Sequence, residues 1–302
     1  MPASWSISRR ARDRLPERVG MSEINSGAIK ELVLSEGVDL VGVAEADGLL
    51  LGYPPRPATA LMPTARSVIV MAVAHSLGAV RAPDIRLWTR NKMQTSRLLD
   101  RTAEKVGRFL EGEGFMTLPI SADKPVEIHK RDPETGRRFP YTRVVGHLSL
   151  KHAAVSAGMG QIGRSNLLLT EEFGPHQRLG GIVTEAPLEP DSASVQDLCL
   201  PGCKRCQEAC PVGALSNGQY EVDPCYNYWT TGMERMRPRR ASEFPPFFAT
   251  LFDHWKRRDP FVEIGQIFIT DVDFCIACMK ACPVGTRWES LLRKPSDERQ
   301  RS

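Results

Sequence analysis

"LCLPGCKRCQEACP" (198–211) places four cysteines within twelve positions and follows the last with proline, and "FCIACMKACP" (274–283) returns three cysteines and the same proline exit. The first motif reads Cys199-x3-Cys203-x2-Cys206-x3-Cys210-Pro211 and the second Cys275-x2-Cys278-x3-Cys282-Pro283, with Cys225 alone between them. A C-x2-C pair presents two thiolates to one metal centre from a tight turn. In the bacterial two-cluster arrangement, the cysteine before the proline ligates the cluster of the other motif. That crossover assigns Cys199, Cys203, Cys206 and Cys282 to one 4Fe-4S cluster. It assigns Cys210, Cys225, Cys275 and Cys278 to a second, and no cysteine is left over. The x3 spacing of "CLPGC" departs from the usual x2, and Pro201 and Gly202 are the residues that reshape such a turn. Zinc in two four-cysteine sites is the weaker alternative, because zinc ribbons lack the paired C-P exits and the crossing partner. Disulfides are weaker still, since no cysteine occurs in residues 1–198, unlike the spread of a secreted scaffold.

The remainder reads as a mixed α/β domain. The spacing predicts a helix over 26–36, a strand over 38–44, a fully buried strand at "SVIVMAVA" (67–74), a helix over 92–113 and a strand over 116–120. The polar stretch 121–141 reads as a long loop. With 302 residues and 41% hydrophobic content, the chain suffices for one substantial core and a smaller second domain. Forty basic residues against 36 acidic ones leave a net charge of +4, too slight to announce a nucleic-acid binder. "RMRPRR" (235–240) and "KRR" (256–258) read as solvated loops. No apolar run is long enough for a membrane span. Arg9 and Arg10 invite a twin-arginine export reading, but no apolar region follows them, so a cytoplasmic location is expected. Residues 1–20, rich in Arg and placed before Met21, read as a disordered tail or an upstream start-site extension.

A second informative stretch is "KHAAVSAGMGQIGRSNLLLTEEFGPHQRLGGIVTEAPLEPD" (151–191). Gly158, Gly160 and Gly163 form G-x-G-x-x-G, but a helical segment, "LSLKHAAVSA", enters the motif and a strand, "SNLLLT", leaves it. This is the reverse of a dinucleotide-binding turn. The residues read instead as a loop stripped of Cβ atoms so that its backbone lies against something broad and flat, or as plain turn and cap glycines.

Together with "GVDLVGVA", "ARSVIVMAVAHS" and the two cysteine motifs, this stretch resembles the cobalamin-dependent iron-sulfur reductases, namely epoxyqueuosine reductases and reductive dehalogenases, over about residues 25–285. The resemblance implies a nitroreductase-like cobalamin-binding domain over 21–192. A ferredoxin-like domain with two 4Fe-4S clusters follows over 193–302. It further implies Gly158, Gly160, Gly163, Arg164 and Asn166 as the loop beside the corrin, and it puts Tyr141, Arg143 and His147 near the substrate, with Tyr141 and His147 the candidate proton donors. Two departures stand out. Val144 occupies the position where epoxyqueuosine reductases carry a catalytic aspartate, and the chain ends twenty residues after Cys282, short of their tRNA-recognition region. The expected activity is therefore reduction of a small organic substrate, with a low-potential ferredoxin or flavodoxin as donor and tRNA disfavoured. The alternatives are a tRNA epoxyqueuosine reductase and an electron-transfer or corrinoid-activating protein without its own cobalamin.

Overall fold

The computed structural model describes residues 24–47, 57–122, 127–131, 138–145, 147–192, 197–216, 220–222, 224, 225, 228 and 275–285, with 127–131 and 138–145 described as backbone. The expected tail at 1–20, the basic stretches at 235–240 and 256–258, and much of the expected ferredoxin-like domain lie outside these residues.

The centre is β2 (Ser67–Ala74), an apolar run with side chains buried on both faces. Ile69, Met71 and Val73 point into one core and Val68 and Val70 into the other, the period-two alternation of a strand covered on both sides. Each such side chain contributes about 1.5–3 kcal/mol on burial. β2 pairs antiparallel with β1 (Leu40–Glu45) and with β8 (Gln177–Thr184), and β8 pairs antiparallel with β3 (Thr117–Ile120), giving the order β1-β2-β8-β3. The first core is closed by α1 (Ser26–Ser35) and α4 (Ile85–Gly112), through Ile29, Val33, Leu99, Ala103, Val106 and Leu110. The second is closed by α5 (Leu150–Ser156) and the short α2 (Ala58–Leu61). The fold is thus a mixed α/β sandwich around an antiparallel sheet.

Three expectations are corrected. α4 begins at Ile85, seven residues before the expected 92, because Asp84 caps it: its carboxylate accepts the Arg86 backbone N–H at 2.9 Å. The expected loop over 121–141 contains a hairpin of β4 (Glu127–Arg131) and β5 (Arg138–Val145), held by backbone pairing between residues such as Ile128 and Val144 rather than by an apolar pattern. β8 was not anticipated as a strand at all, since Gly180 and Gly181 interrupt its apolar pattern. A Cβ on Gly180 would lie 2.9 Å from the Leu99 Cβ of α4, and one on Gly181 would lie 2.7 Å from Leu150 of α5. The two glycines let a helix close down on each face of the central strand.

Candidate iron-sulfur site

The first motif leaves the sheet region as a turn. Cys203 N–H donates to Leu200 O at 3.1 Å, and Gly202 takes the left-handed conformation (φ 70°) with open space around it, so the x3 spacing still closes. Cys206 sits on the one-turn helix α6 (Arg205–Glu208) and is the most buried of the eight cysteines. Beyond it, the Ala214 backbone N–H donates to Cys210 Sγ at 3.2 Å. The second motif supplies α7 (Ala277–Ala281), ending at Cys282. α7 is docked on the α/β domain: Ile276 and Met279 pack with Trp88 and Val80, the latter on α3 (Leu77–Arg81), and Lys280 Nζ donates to Ala82 O at 2.8 Å.

Burial raises the Cys282 thiol to about 11, and the neighbours that push it further are Cys199, Cys206 and Cys203. Burial likewise raises Cys206, with Cys199 and Cys203 beside it. Burial pushes Cys278 up to about 12, reinforced by Cys275, Cys225 and Cys210, and it raises Cys275 with Cys225 and Cys210 as neighbours. The folded chain therefore sorts its eight free thiols into two quartets, with Cys282 among the first motif's cysteines and Cys210 among the second's. The second quartet lines a cavity of about 340 Å³ together with Tyr220, Lys151, Ser165 and Asn166. Burial and the Cys225 thiol both raise the Tyr220 hydroxyl pKa.

Iron-sulfur clusters fit this arrangement. Buried thiols that oppose one another's ionisation require a cation to become thiolates, and an all-sulfur donor set suits iron-sulfur chemistry. Among the described residues no three His, Cys, Asp or Glu side chains are grouped as ligands of a single ion.

In the glycine loop, Gly160 and Gly163 face the chain's own strand. A Cβ on Gly160 would overlap the carbonyl of Leu169, on β7 (Leu168–Leu169), and one on Gly163 would lie 2.5 Å from the Leu169 side chain. These glycines make room for the chain's own strand, which pairs with β6 (Gln161–Ile162). Gly158 adopts φ 67° at the end of α5 and borders a polar cleft with Lys30, Glu171 and Asp191. Arg164 Nη1 donates to Cys203 O at 2.8 Å and Leu200 O at 3.3 Å, and Asn166 accepts Lys151 Nζ at 2.8 Å. The Tyr141 side chain lies outside the described residues. His147 is half-buried one residue before Leu148, which anchors α5 in the second core.

Several positioning residues escaped the sequence reading. Gln161 Oε1 accepts the Leu198 N–H at 3.1 Å, joining β6 to the first motif. Gly174 and Gly285 bring Phe173–Gly174 against Val284–Gly285, just after Cys282. His176 Nδ1 faces Phe173 O at 3.0 Å, and the same ring meets the Met279 backbone of α7; burial lowers its pKa. The glycine in "CPVG" was the available signal for the second contact, but nothing in the sequence pairs it with Gly174.

Eight thiols gathered beside a mixed α/β domain form an all-sulfur donor set of the kind that suits iron-sulfur chemistry. No protein-family model matches the chain. It is 29% identical over 162 residues to the tetrachloroethene reductive dehalogenase of Dehalobacter restrictus, covering 53% of this chain and 24% of that protein. It is 40% identical over 87 residues to the epoxyqueuosine reductase of Listeria monocytogenes, covering 28% and 22%. The chain thus spans about a quarter of the length of these curated relatives. In fold it matches an epoxyqueuosine reductase from Bacillus subtilis (TM-score 0.54, 20% identity, 86% of this chain and 65% of that one). It also matches a catabolic reductive dehalogenase (TM-score 0.53, 20% identity, 70% and 30%). The chain is a relative of the epoxyqueuosine reductases and reductive dehalogenases, whose members are oxidoreductases.

Proposed function

We propose that this protein is a reductase that accepts low-potential electrons from a one-electron carrier, a ferredoxin or flavodoxin, and passes them inward through two 4Fe-4S clusters. Cys199, Cys203, Cys206 and Cys282 hold one cluster, and Cys210, Cys225, Cys275 and Cys278 the other. The observation that carries this reading is the crossing of the motifs, with Cys282 beside the first motif's thiols and Cys210 beside the second's. When bound, the clusters supply one-electron transfer at low potential. The chain's own part is to bury the thiols, to fix the two quartets against the α/β domain, and to keep water from the largely apolar space around the second quartet. Eight free thiols suit a reducing, cytoplasmic setting. Kinship with the dehalogenases, one of them described by a B12-dependent mechanism, supports a cobalamin as electron acceptor and a small organic substrate, with Tyr141 or His147 as proton donor.

Two observations favour other readings. The 40% identity to an epoxyqueuosine reductase supports tRNA as substrate equally well, so the sequence-based preference against tRNA loses its weight. The occupied state of Gly160, Gly163, Arg164 and Asn166 favours an electron-transfer protein without cobalamin in that loop. Anaerobic reconstitution decides the first point, with about eight irons and eight sulfides per chain expected for two clusters. About four irons, or stoichiometric zinc, overturns the assignment. Cobalamin titration followed by turnover of halogenated aromatics and of epoxyqueuosine-containing tRNA separates the three readings.

A further inference from the structure

The segment from Lys151 to Asn166 reaches both quartets, and it brings one cation to each. Arg164, on the loop after β6, donates to the backbone carbonyl of Cys203 at 2.8 Å and to that of Leu200 at 3.3 Å, within the turn carrying the first quartet. Lys151, on α5, lines the same cavity as Cys210, Cys225, Cys275 and Cys278. Its ammonium is steered by Asn166, whose carbonyl and side-chain oxygens accept from Nζ at 3.0 and 2.8 Å. Asn166 itself is held in the left-handed region at φ 58°, a conformation asparagine tolerates better than most residues. The turn between them is closed by Asn166 N–H to Gly163 O at 2.9 Å and Gly163 N–H to Leu167 O at 2.9 Å. One short turn therefore separates the cation of the first quartet from the anchor of the cation at the second.

We infer that Arg164 and Lys151 are electrostatic positioning residues, each raising the reduction potential of a different cluster. The inference rests on the two-cluster reading above. Reduction adds one negative charge to a cluster already ligated by four thiolates, so a neighbouring cation stabilises the reduced form more than the oxidised form. The environments differ in a way that can be measured. Lys151 is half-buried beside a largely apolar cavity, where the field is weakly screened, whereas Arg164 is exposed and its field is damped by salt.

The test is a redox titration of the anaerobically reconstituted full chain, followed by electron paramagnetic resonance and visible absorbance, with iron counted in every sample. Lys151→Gln is expected to lower one reduction step and Arg164→Gln the other, and the double variant lowers both. Raising the salt should shrink the Arg164→Gln shift and leave the Lys151→Gln shift nearly intact. Lys151→Arg and Arg164→Lys keep the charge and should keep wild-type potentials, and they carry the test where a neutral variant loads poorly. The inference is overturned if both neutral variants move the same step, if neither moves one, or if a charge-keeping variant at full iron loading shifts as far as the neutral one. Wild-type protein that loads fewer than two clusters overturns the proposed function instead.

Discussion

Replacing Gly174 by alanine tests whether the α/β domain holds Cys282 in place. Gly174 has φ 56° and exchanges backbone hydrogen bonds with Thr170, at 2.9 and 3.0 Å, so the turn cannot easily rotate away. A Cβ there would overlap the carbonyl oxygen of Val284 and lie 2.6 Å from its carbonyl carbon, two residues after Cys282. The left-handed backbone costs an alanine about 1–2 kcal/mol, and forcing a methyl into a filled contact costs about 1–3 kcal/mol more. Together they predict a loss of about 2–5 kcal/mol. Gly37→Ala is the matched control, because Gly37 also has positive φ (88°) but nothing lies within 4 Å of its missing Cβ. Only the backbone cost, about 1–2 kcal/mol, is expected there. Urea denaturation of the cluster-free chain under reducing conditions measures both variants, and iron analysis after reconstitution shows whether the displacement reaches the first quartet. Gly174→Ala should load about half the wild-type iron, and Gly37→Ala all of it. Equal stability losses for the two variants, with full iron in both, would refute the argument.

His75 gives a pH dependence of definite sign. Its Nδ1 donates to Asn91 Oδ1 at 3.1 Å, and burial is the main cause of a pKa lowered to about 4. Unfolded chain binds the proton from about 6.5 downward, so the stability present above that pH is progressively lost as pH falls toward 4, by up to about 3 kcal/mol. Denaturation at pH 7.5 and 5 should show a smaller loss in His75→Gln than in wild type, the remainder coming from groups such as His176 whose pKa burial also lowers, and the same slope in both counts against it. Cys210→Ser and Cys282→Ser should each lower Tm as well as iron content, because each links one motif to the other's quartet. A missing cluster with an unchanged melting profile contradicts the crossing. Gly160→Leu should destabilise the cluster-free chain whether or not cobalamin is added, because its side chain would displace Leu169. Normal melting with cobalamin binding alone abolished would restore the corrin-facing role for this loop.

The elements legible in the sequence are those whose signal is local. β2 lies at the bounds the sequence predicts because seven consecutive apolar residues after Ser67 permit little else, and α1 lies nearly so. β8 was illegible because its partners explain its composition: Gly180 and Gly181 weaken a strand by propensity, yet both are required once Leu99 and Leu150 approach from opposite faces. The β4–β5 hairpin escaped for a related reason, since its register is set by backbone pairing and its polar sequence carries no alternation that points to a core.

The site divides along the same line. Spacing and the crossover rule group Cys282 with Cys199, Cys203 and Cys206, and in the folded chain those three thiols are neighbours that help raise the Cys282 pKa. Spacing says nothing about what holds the two motifs at the distance that makes crossing feasible. In the structure that role falls to the α/β domain, through Gln161 and Arg164 on the first motif and through Gly174, His176 and Ala82 on the second. Each of these contacts acts across a long sequence separation, so no local pattern announces it. Three glycines in six positions permit close approach, whether to a flat cofactor or within a plain turn, but close approach does not name the approaching group. Here it is Leu169, and the chemically distinctive residues of the loop, Arg164 and Asn166, are directed at the cysteine quartets.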